Sequence, residues 1–195
     1  MNGYKKMHSK LEFVSASIID TQLTIRAIDV KVAALLVGIL APLHKTSRIF
    51  SHLDHFWSQS PRWIFATAVV LFILSWLFAL ASLVRAIGAV DNPSKHIINT
   101  TNCRGTFYGE GLYKLGIFDV FVNRDIITAS KDPKSFSDHL PTNEAEIELE
   151  LVYEKLKFAY IRDIKIYRLN WGLRFSLMWL VIGIVIYLSS KYILN

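Results

Sequence analysis

An uncharged run of 22 residues at positions 63–84 is the feature that most constrains the fold of this chain. A helix of that length measures roughly 33 Å, which is about the thickness of the hydrocarbon core of a bilayer. A soluble domain of 195 residues rarely needs so long an apolar helix. The run therefore predicts a membrane-spanning helix and argues against most classes of soluble enzyme.

A second apolar run covers residues 175–190. Trp171 and Tyr192 flank it and extend it to roughly 20 residues, and aromatic side chains of this kind favour the membrane–water interface. We predict a second crossing here.

A third run, residues 32–43, has 12 uncharged positions. As a helix it covers only about 18 Å, so it could equally be a buried core helix. Extension back to Ile25 reaches membrane length but includes Arg26, Asp29 and Lys31. Arg26 and Asp29 stand three residues apart and can pair, while Lys31 can reach the interface. We favour a crossing at this run as well.

Lysine and arginine are distributed unevenly between these runs. Five precede residue 32 and thirteen lie in residues 85–174, whereas three lie in residues 44–62 and one follows the last run. Because basic residues accumulate on the cytosolic side of membrane proteins, the N-terminus and the central segment are predicted to be cytosolic.

Charge and cysteine content exclude several other classes. The whole chain has a formal charge of +6, but the central segment, residues 85–174, carries thirteen basic and twelve acidic residues and is nearly neutral. The charge of the chain therefore does not predict a nucleic-acid-binding surface in this segment. Cys103 is the single cysteine, which excludes an internal disulfide.

No Ser–His–Asp or Cys–His set has informative spacing, so we predict no catalytic residues and no enzyme. His52, Asp54 and His55 fit a wet interfacial turn better than a metal site.

Two long helices are predicted to extend from the cytosol into the bilayer. Residues 10–43 contain no proline before Pro42, and their apolar residues recur at near-helical spacing. A second helix begins after Asn143, which can cap it, with Glu146 at the capping-box position. This helix is expected to continue into the last apolar run, with Gly172 as its one hinge.

The predicted fold is therefore mainly α, a polytopic membrane helical bundle with three transmembrane helices and long cytosolic helical extensions. Its segments are a cytosolic helix (1–26), a first crossing (27–45), a periplasmic loop (46–62), a second crossing (63–86), a cytosolic sensing segment (87–171), a third crossing (172–192) and a periplasmic tail (193–195). Ala34 and Gly38 form a small-xxx-small pair that lets a helix approach closely, either within the chain or in a homo-oligomer.

The sensing segment holds a cluster of basic and aromatic residues that could bind a phosphate and stack a base. Its candidate ligand-binding residues are Arg104, Phe107, Tyr108 and Arg124, with Lys114 and Tyr113 nearby. At a membrane surface, such residues also bind membrane lipid headgroups or simply solvate a domain.

Three short motifs occur in a familiar order. Asp29 and Lys31 precede Ala33 and Ala34 at the first run, the triplet at residues 107–109 reads Phe-Tyr-Gly, and residues 165–175 read KIYRLNWGLRF before the last run. In this the chain resembles the transmembrane effectors of Pycsar, a bacterial antiphage system. Val32 stands where that family often has alanine.

The resemblance implies an effector of the bacterial inner membrane. It would bind cCMP or cUMP, a cyclic pyrimidine mononucleotide made by a partner cyclase, and would then impair the membrane and cause abortive infection. It implies no cofactor beyond this ligand. The alternative is a small structural or transport subunit of a larger membrane complex, whose central segment binds a protein partner.

Overall fold

The computed structural model describes residues 2–42, 62–88, 92–98, 103, 105–106, 132–138 and 140–192. Its α-helices are α1 (Asn2–Leu40), α2 (Arg62–Ile87), α3 (Pro133–Asp138) and α4 (Glu144–Tyr192), with a 3₁₀ helix at Pro93–His96. These ranges contain no strand, so the prediction of a mainly α protein is confirmed.

Two of the helices are long and apolar enough to cross a membrane. They are Ala66–Ile87 in α2, with a mean hydropathy of 2.4, and the apolar part of α4 within Glu144–Ser189, with a mean hydropathy of 1.8. The predicted crossing at residues 27–45 is not confirmed, because within the described residues the uncharged part of α1 is short and the helix ends at Leu40, shortly before Pro42. Proline has no backbone N–H and disfavours helix in the residue before it, which explains that end.

The chain divides into two compact units. The first unit consists of Met1–Gln22 and Asn92–Tyr160, and the second consists of Leu23–Asp91 and Ile161–Asn195. Helices α1 and α4 contribute to both.

The first unit has a small apolar core between α1 and α4. Val14, Ile18 and Leu151 are buried there, and three partly buried side chains pack against them: Leu11, Val152 and Phe158. At its edge, Lys10 forms an ion pair with Glu148.

Only some of the apolar residues that recur along α1 are buried. Ile18 and Ile28 are buried, whereas Phe13, Ile19 and Leu23 are exposed. The buried positions instead follow one another at intervals of three, four or seven residues: Val14, Ile18, Thr21, Ile28, Val32 and Ile39. That spacing is close to the 3.5-residue period of a coiled-coil seam.

Helix α4 begins with the predicted cap. The Asn143 Oδ1 accepts the Glu146 N–H at 2.8 Å, and the Glu146 carboxylate accepts the Thr142 N–H at 3.1 Å. The Asn143 cap is confirmed, with Glu146 bonding back to the N–H of Thr142 rather than to that of the cap residue, and the continuation of α4 through the last apolar run is also confirmed. Such a cap is worth about 1 kcal/mol of helix stability.

The second unit is a bundle of α1, α2 and α4. Its buried core contains residues from all three helices: Ile28, Val32, Ile39, Ala79, Leu83, Ala86 and Leu169. Near the middle of α2, the Trp76 Nε1–H donates to the Ile39 carbonyl oxygen at 3.3 Å. Phe78 stacks on Phe175 of α4 with ring centroids 5.4 Å apart.

Helices α1 and α2 run antiparallel in this bundle. Asp29 of α1 pairs with Lys165, and the Arg85 carbonyl accepts a hydrogen bond from Arg168, one turn further along α4. Ile39 of α1 instead contacts Trp76, nine residues before Arg85. Moving forward along α1 therefore means moving backward along α2.

Gly172 is not a hinge. Helix α4 continues through it, and a Cβ built at this position would lie 2.6 Å from the Leu83 Cδ2. Gly183 similarly approaches Phe72, whose ring would lie 3.1 Å from a Cβ. Both glycines let α4 pack closely against α2, because a larger residue would push the helices apart.

In this unit, one other expectation from the sequence is wrong and one of the two alternatives left open for Gly38 is excluded. Asp29 pairs with Lys165 of α4 rather than with Arg26, because the carboxylate lies on the side of α1 that faces α4. A Cβ at Gly38 would meet nothing within 4 Å, so packing of Gly38 against the described part of its own chain is also excluded.

Candidate functional site

The four residues predicted to bind a ligand, Arg104, Phe107, Tyr108 and Arg124, lie outside the described residues, and so do His52, Asp54 and His55. The residues on either side of Arg104 are described, however, and they belong to a buried polar cluster in the first unit. Among the described residues, no group of three or more His, Cys, Asp and Glu could hold a metal ion.

Glu150 of α4 holds the backbone immediately before Phe107. Its Oε2 accepts hydrogen bonds from the Thr106 N–H at 3.0 Å and from the Thr106 hydroxyl at 3.3 Å, and its Oε1 accepts the Gly105 N–H at 3.3 Å. Glu150 is only 5% exposed. A carboxylate buried to this degree needs several donors to replace its water, and here one short segment supplies three.

Gly105 makes this arrangement possible. Its φ of 66° lies in the left-handed region, which residues with a Cβ rarely adopt. This conformation turns two successive backbone N–H groups toward one carboxylate, the arrangement of an anion-binding nest. The glycine therefore determines the direction of the backbone at residues 105–106, directly before the Phe-Tyr-Gly triplet in the sequence.

Further charges line the same side of α4. Glu154 is 2% exposed, and its Oε1 accepts a hydrogen bond from the Lys157 Nζ at 2.9 Å. The same Lys157 ammonium lies 4.2 Å from the ring centroid of Tyr153, which is also buried. These residues follow Glu150 by three, four and seven positions, so they share one helix face.

Cys103 lies beside this cluster. Burial and the negative charge of Glu150 raise the pKa of its thiol above the ordinary value, and the positive charge of Lys157 partly opposes them. The thiol therefore stays protonated at neutral pH, whereas nucleophilic attack requires the thiolate.

This cluster was not predicted from the sequence. Five glutamates lie within residues 144–154, and glutamates near a helix N-terminus are ordinarily solvent-exposed residues favoured by the positive end of the helix dipole. Two of them, Glu150 and Glu154, are buried instead. Their four-residue spacing, together with Tyr153 and Lys157 on the same face, was the available signal.

The arrangement is suited to binding and positioning. It fixes the backbone at residues 105–106, which directly precede the predicted ligand residue Phe107 in the sequence, and places the buried carboxylate of Glu150 against that backbone. Desolvating a charge is costly, and buried ionisable groups are therefore found both in structural networks and, more often than elsewhere on a protein, at functional sites.

Comparisons of the chain with protein-family models, with curated proteins and with solved structures find no match.

Proposed function

We propose that this chain is a membrane effector of antiphage defence. Its first unit binds cCMP or cUMP made by a partner cyclase, and its second unit then impairs the bacterial inner membrane. The ligand and the output come from the resemblance to Pycsar effectors. The structural support is the attachment of Thr106, the residue before Phe107, to Glu150 of α4.

This attachment provides a route from ligand to membrane. Helix α4 is continuous from Glu144 to Tyr192, so the helix that holds Thr106 also contains the apolar residues of the last run. A ligand that changes the position of residues 105–106 would act directly on α4. Such a ligand shifts the equilibrium only if it binds one arrangement of this helix more tightly than another.

Three crossings with a cytosolic N-terminus are part of the proposal. Support comes from the antiparallel packing of α1 and α2 within one bundle. If α2 crosses the bilayer, the chain must already have reached the far side before Arg62. With α4 as the last crossing, the charge distribution then puts the N-terminus and the first unit in the cytosol.

Calorimetric titration of the full-length protein with cCMP and cUMP tests the ligand, with cAMP as the purine control. Arg104→Ala and Arg124→Ala should each weaken binding by about 1.5–3 kcal/mol if the residue contacts the phosphate. Lys95→Ala, which removes an exposed cation outside the ligand cluster, should leave the affinity unchanged. Absence of binding to both pyrimidine nucleotides would overturn the proposal.

A potential-sensitive dye in proteoliposomes tests the output. Depolarisation should follow addition of the bound nucleotide and should not occur with cAMP. A protein that binds the nucleotide and leaves the potential intact would contradict the effector role. A protein that neither binds nor depolarises would favour the structural or transport subunit.

A further inference from the structure

Basic side chains outnumber acidic ones in the second unit. The two acidic residues described there each pair with a basic residue of α4, Asp29 with Lys165 and Asp163 with Arg162. Five basic side chains of this unit have no carboxylate partner among the described residues. They are Arg26, Lys31, Arg85, Arg168 and Arg174, and we call them the basic collar.

The collar occupies one end of the bundle. The Arg168 Nη1 donates to the Arg85 carbonyl oxygen at 2.6 Å, which brings α2 and α4 together. One turn earlier on α4, Lys165 binds Asp29, which stands between Arg26 and Lys31 in α1. Three helices therefore bring their cations to a similar height.

At this same height, the sequence of each of the three helices changes between charged and uncharged residues. The uncharged run of α1 starts directly after Lys31, that of α2 ends directly before Arg85, and that of α4 starts directly after Arg174. The Arg174 guanidinium packs over the Trp171 ring, 5.1 Å from its centroid. Tryptophan and arginine at the end of an apolar run are typical of the headgroup layer.

We propose that the basic collar binds the phosphate groups of anionic phospholipids in the leaflet at this end of the bundle. Guanidinium groups bind phosphate through paired hydrogen bonds, and an anionic leaflet attracts clustered cations. Within the described part of the chain, Arg168 is the one collar residue whose side chain makes a hydrogen bond to protein. It donates to the C-terminal end of α2, and this bond also stabilises that end. The inference rests on the membrane insertion proposed above and is independent of the nucleotide.

Thermal unfolding of the full-length protein in mixed micelles tests the collar. Micelles containing phosphatidylglycerol should raise the melting temperature relative to micelles containing phosphatidylcholine, and added salt should reduce the difference. The variant Lys31→Gln/Arg85→Gln should lower the affinity for phosphatidylglycerol about 25-fold, because each charge near the surface contributes about fivefold. It should unfold normally in phosphatidylcholine, since neither side chain has a protein partner among the described residues.

The matched control, Lys95→Gln/Lys134→Gln, removes two exposed charges from the first unit and should retain the full effect of phosphatidylglycerol. If both variants lose the stabilisation by phosphatidylglycerol equally, the effect is a general one of charge, and the proposed lipid binding by the basic collar is overturned. Stabilisation of the wild type by inorganic phosphate to the same extent would overturn a lipid site in favour of a simple anion site. Release of the protein from membranes by alkaline carbonate would refute insertion itself.

Discussion

Lys165 of α4 and Asp29 of α1 form an ion pair in which the lysine side chain is only 8% exposed. Each charge lies on a different helix of the second unit, so the pair fixes the height of α1 against α4. The carboxylate is 40% exposed and remains partly solvated, so the energy of the pair is well below that of a fully buried one.

Asp29→Asn should destabilise the second unit by about 1.5 kcal/mol, the lower end of the range for hydrogen bonds to charged groups. The loss arises because the Lys165 ammonium stays buried without its counter-charge. Unfolding of the full-length protein in detergent measures it. Asp29→Asn/Lys165→Met should recover most of the stability, and a double variant as unstable as the single one would contradict this explanation.

Gly172→Ala should destabilise the protein by about 1–3 kcal/mol, because the new methyl group would lie 2.6 Å from the Leu83 Cδ2 and Leu83 is completely buried. Gly38→Ala is the matched control: it makes the same change in a helix where a Cβ meets nothing within 4 Å, so it should not destabilise. Leu83→Ala combined with Gly172→Ala should cost less than the sum of the two single changes. If the double variant loses as much unfolding free energy as the two single variants together, Leu83 and residue 172 do not contact each other.

Much of the fold follows from local sequence signals, and the contacts between helices do not. The apolar run of α2, the cap at Asn143 and the lack of breaks before Pro42 each depend on neighbouring residues, so the sequence predicts the three long helices, although not the short ones at Pro93–His96 and Pro133–Asp138. Gly172 was assigned to a hinge because a glycine within a helix suggests weakness. Its actual role depends on Leu83, which is 89 positions earlier in the sequence.

The same limit applies to the site. The approach of Gly105 and Thr106 to α4 brings backbone donors to a glutamate more than 40 positions away in the sequence, and no periodic pattern encodes such a contact. In a helix considered alone, Glu150 resembles its exposed neighbours. What could be recognised was the shared face of Glu150, Glu154 and Lys157.

Glu150→Ala should lower the free energy of unfolding by about 2–3 kcal/mol, because it leaves the buried N–H groups of Gly105 and Thr106 without an acceptor. Glu144→Ala, at an exposed position in the first turn of α4, should cost only a few tenths to 1 kcal/mol through the helix dipole. Denaturant unfolding of both variants gives the comparison. Equal losses of unfolding free energy in the two variants would mean that the hydrogen bonds of Glu150 add nothing to stability.

Cys103 should react slowly with iodoacetamide at pH 7.5, because burial and the charge of Glu150 raise the pKa of its thiol. Glu150→Gln removes a negative charge that opposes the thiolate, so the reaction should begin at lower pH. Lys157→Gln removes a positive charge that favours the thiolate, so its profile should shift to higher pH. Rates measured by mass spectrometry across the alkaline range provide the profiles, and shifts of the same sign in both variants would contradict this electrostatic explanation.

Topology reporters test the three proposed crossings. A reporter fused after Asn195 should read as periplasmic, and one inserted near Asp132 should read as cytosolic. Both reporters on one side of the membrane would show that α4 does not cross. A periplasmic N-terminus would show that the chain does not cross before α2.

Gly38→Leu tests whether copies of the chain associate through α1. Because a Cβ at this position meets nothing within 4 Å, the larger side chain should fit without loss of stability in the isolated chain. If effector output requires close approach of copies through Ala34 and Gly38, the leucine should block ligand-triggered depolarisation while nucleotide binding stays intact. Crosslinking in native membranes, recorded together with the dye signal, separates assembly from binding. A Gly38→Leu protein that accumulates normally, forms ligand-dependent oligomers and still depolarises the membrane would exclude this face of α1 from the mechanism.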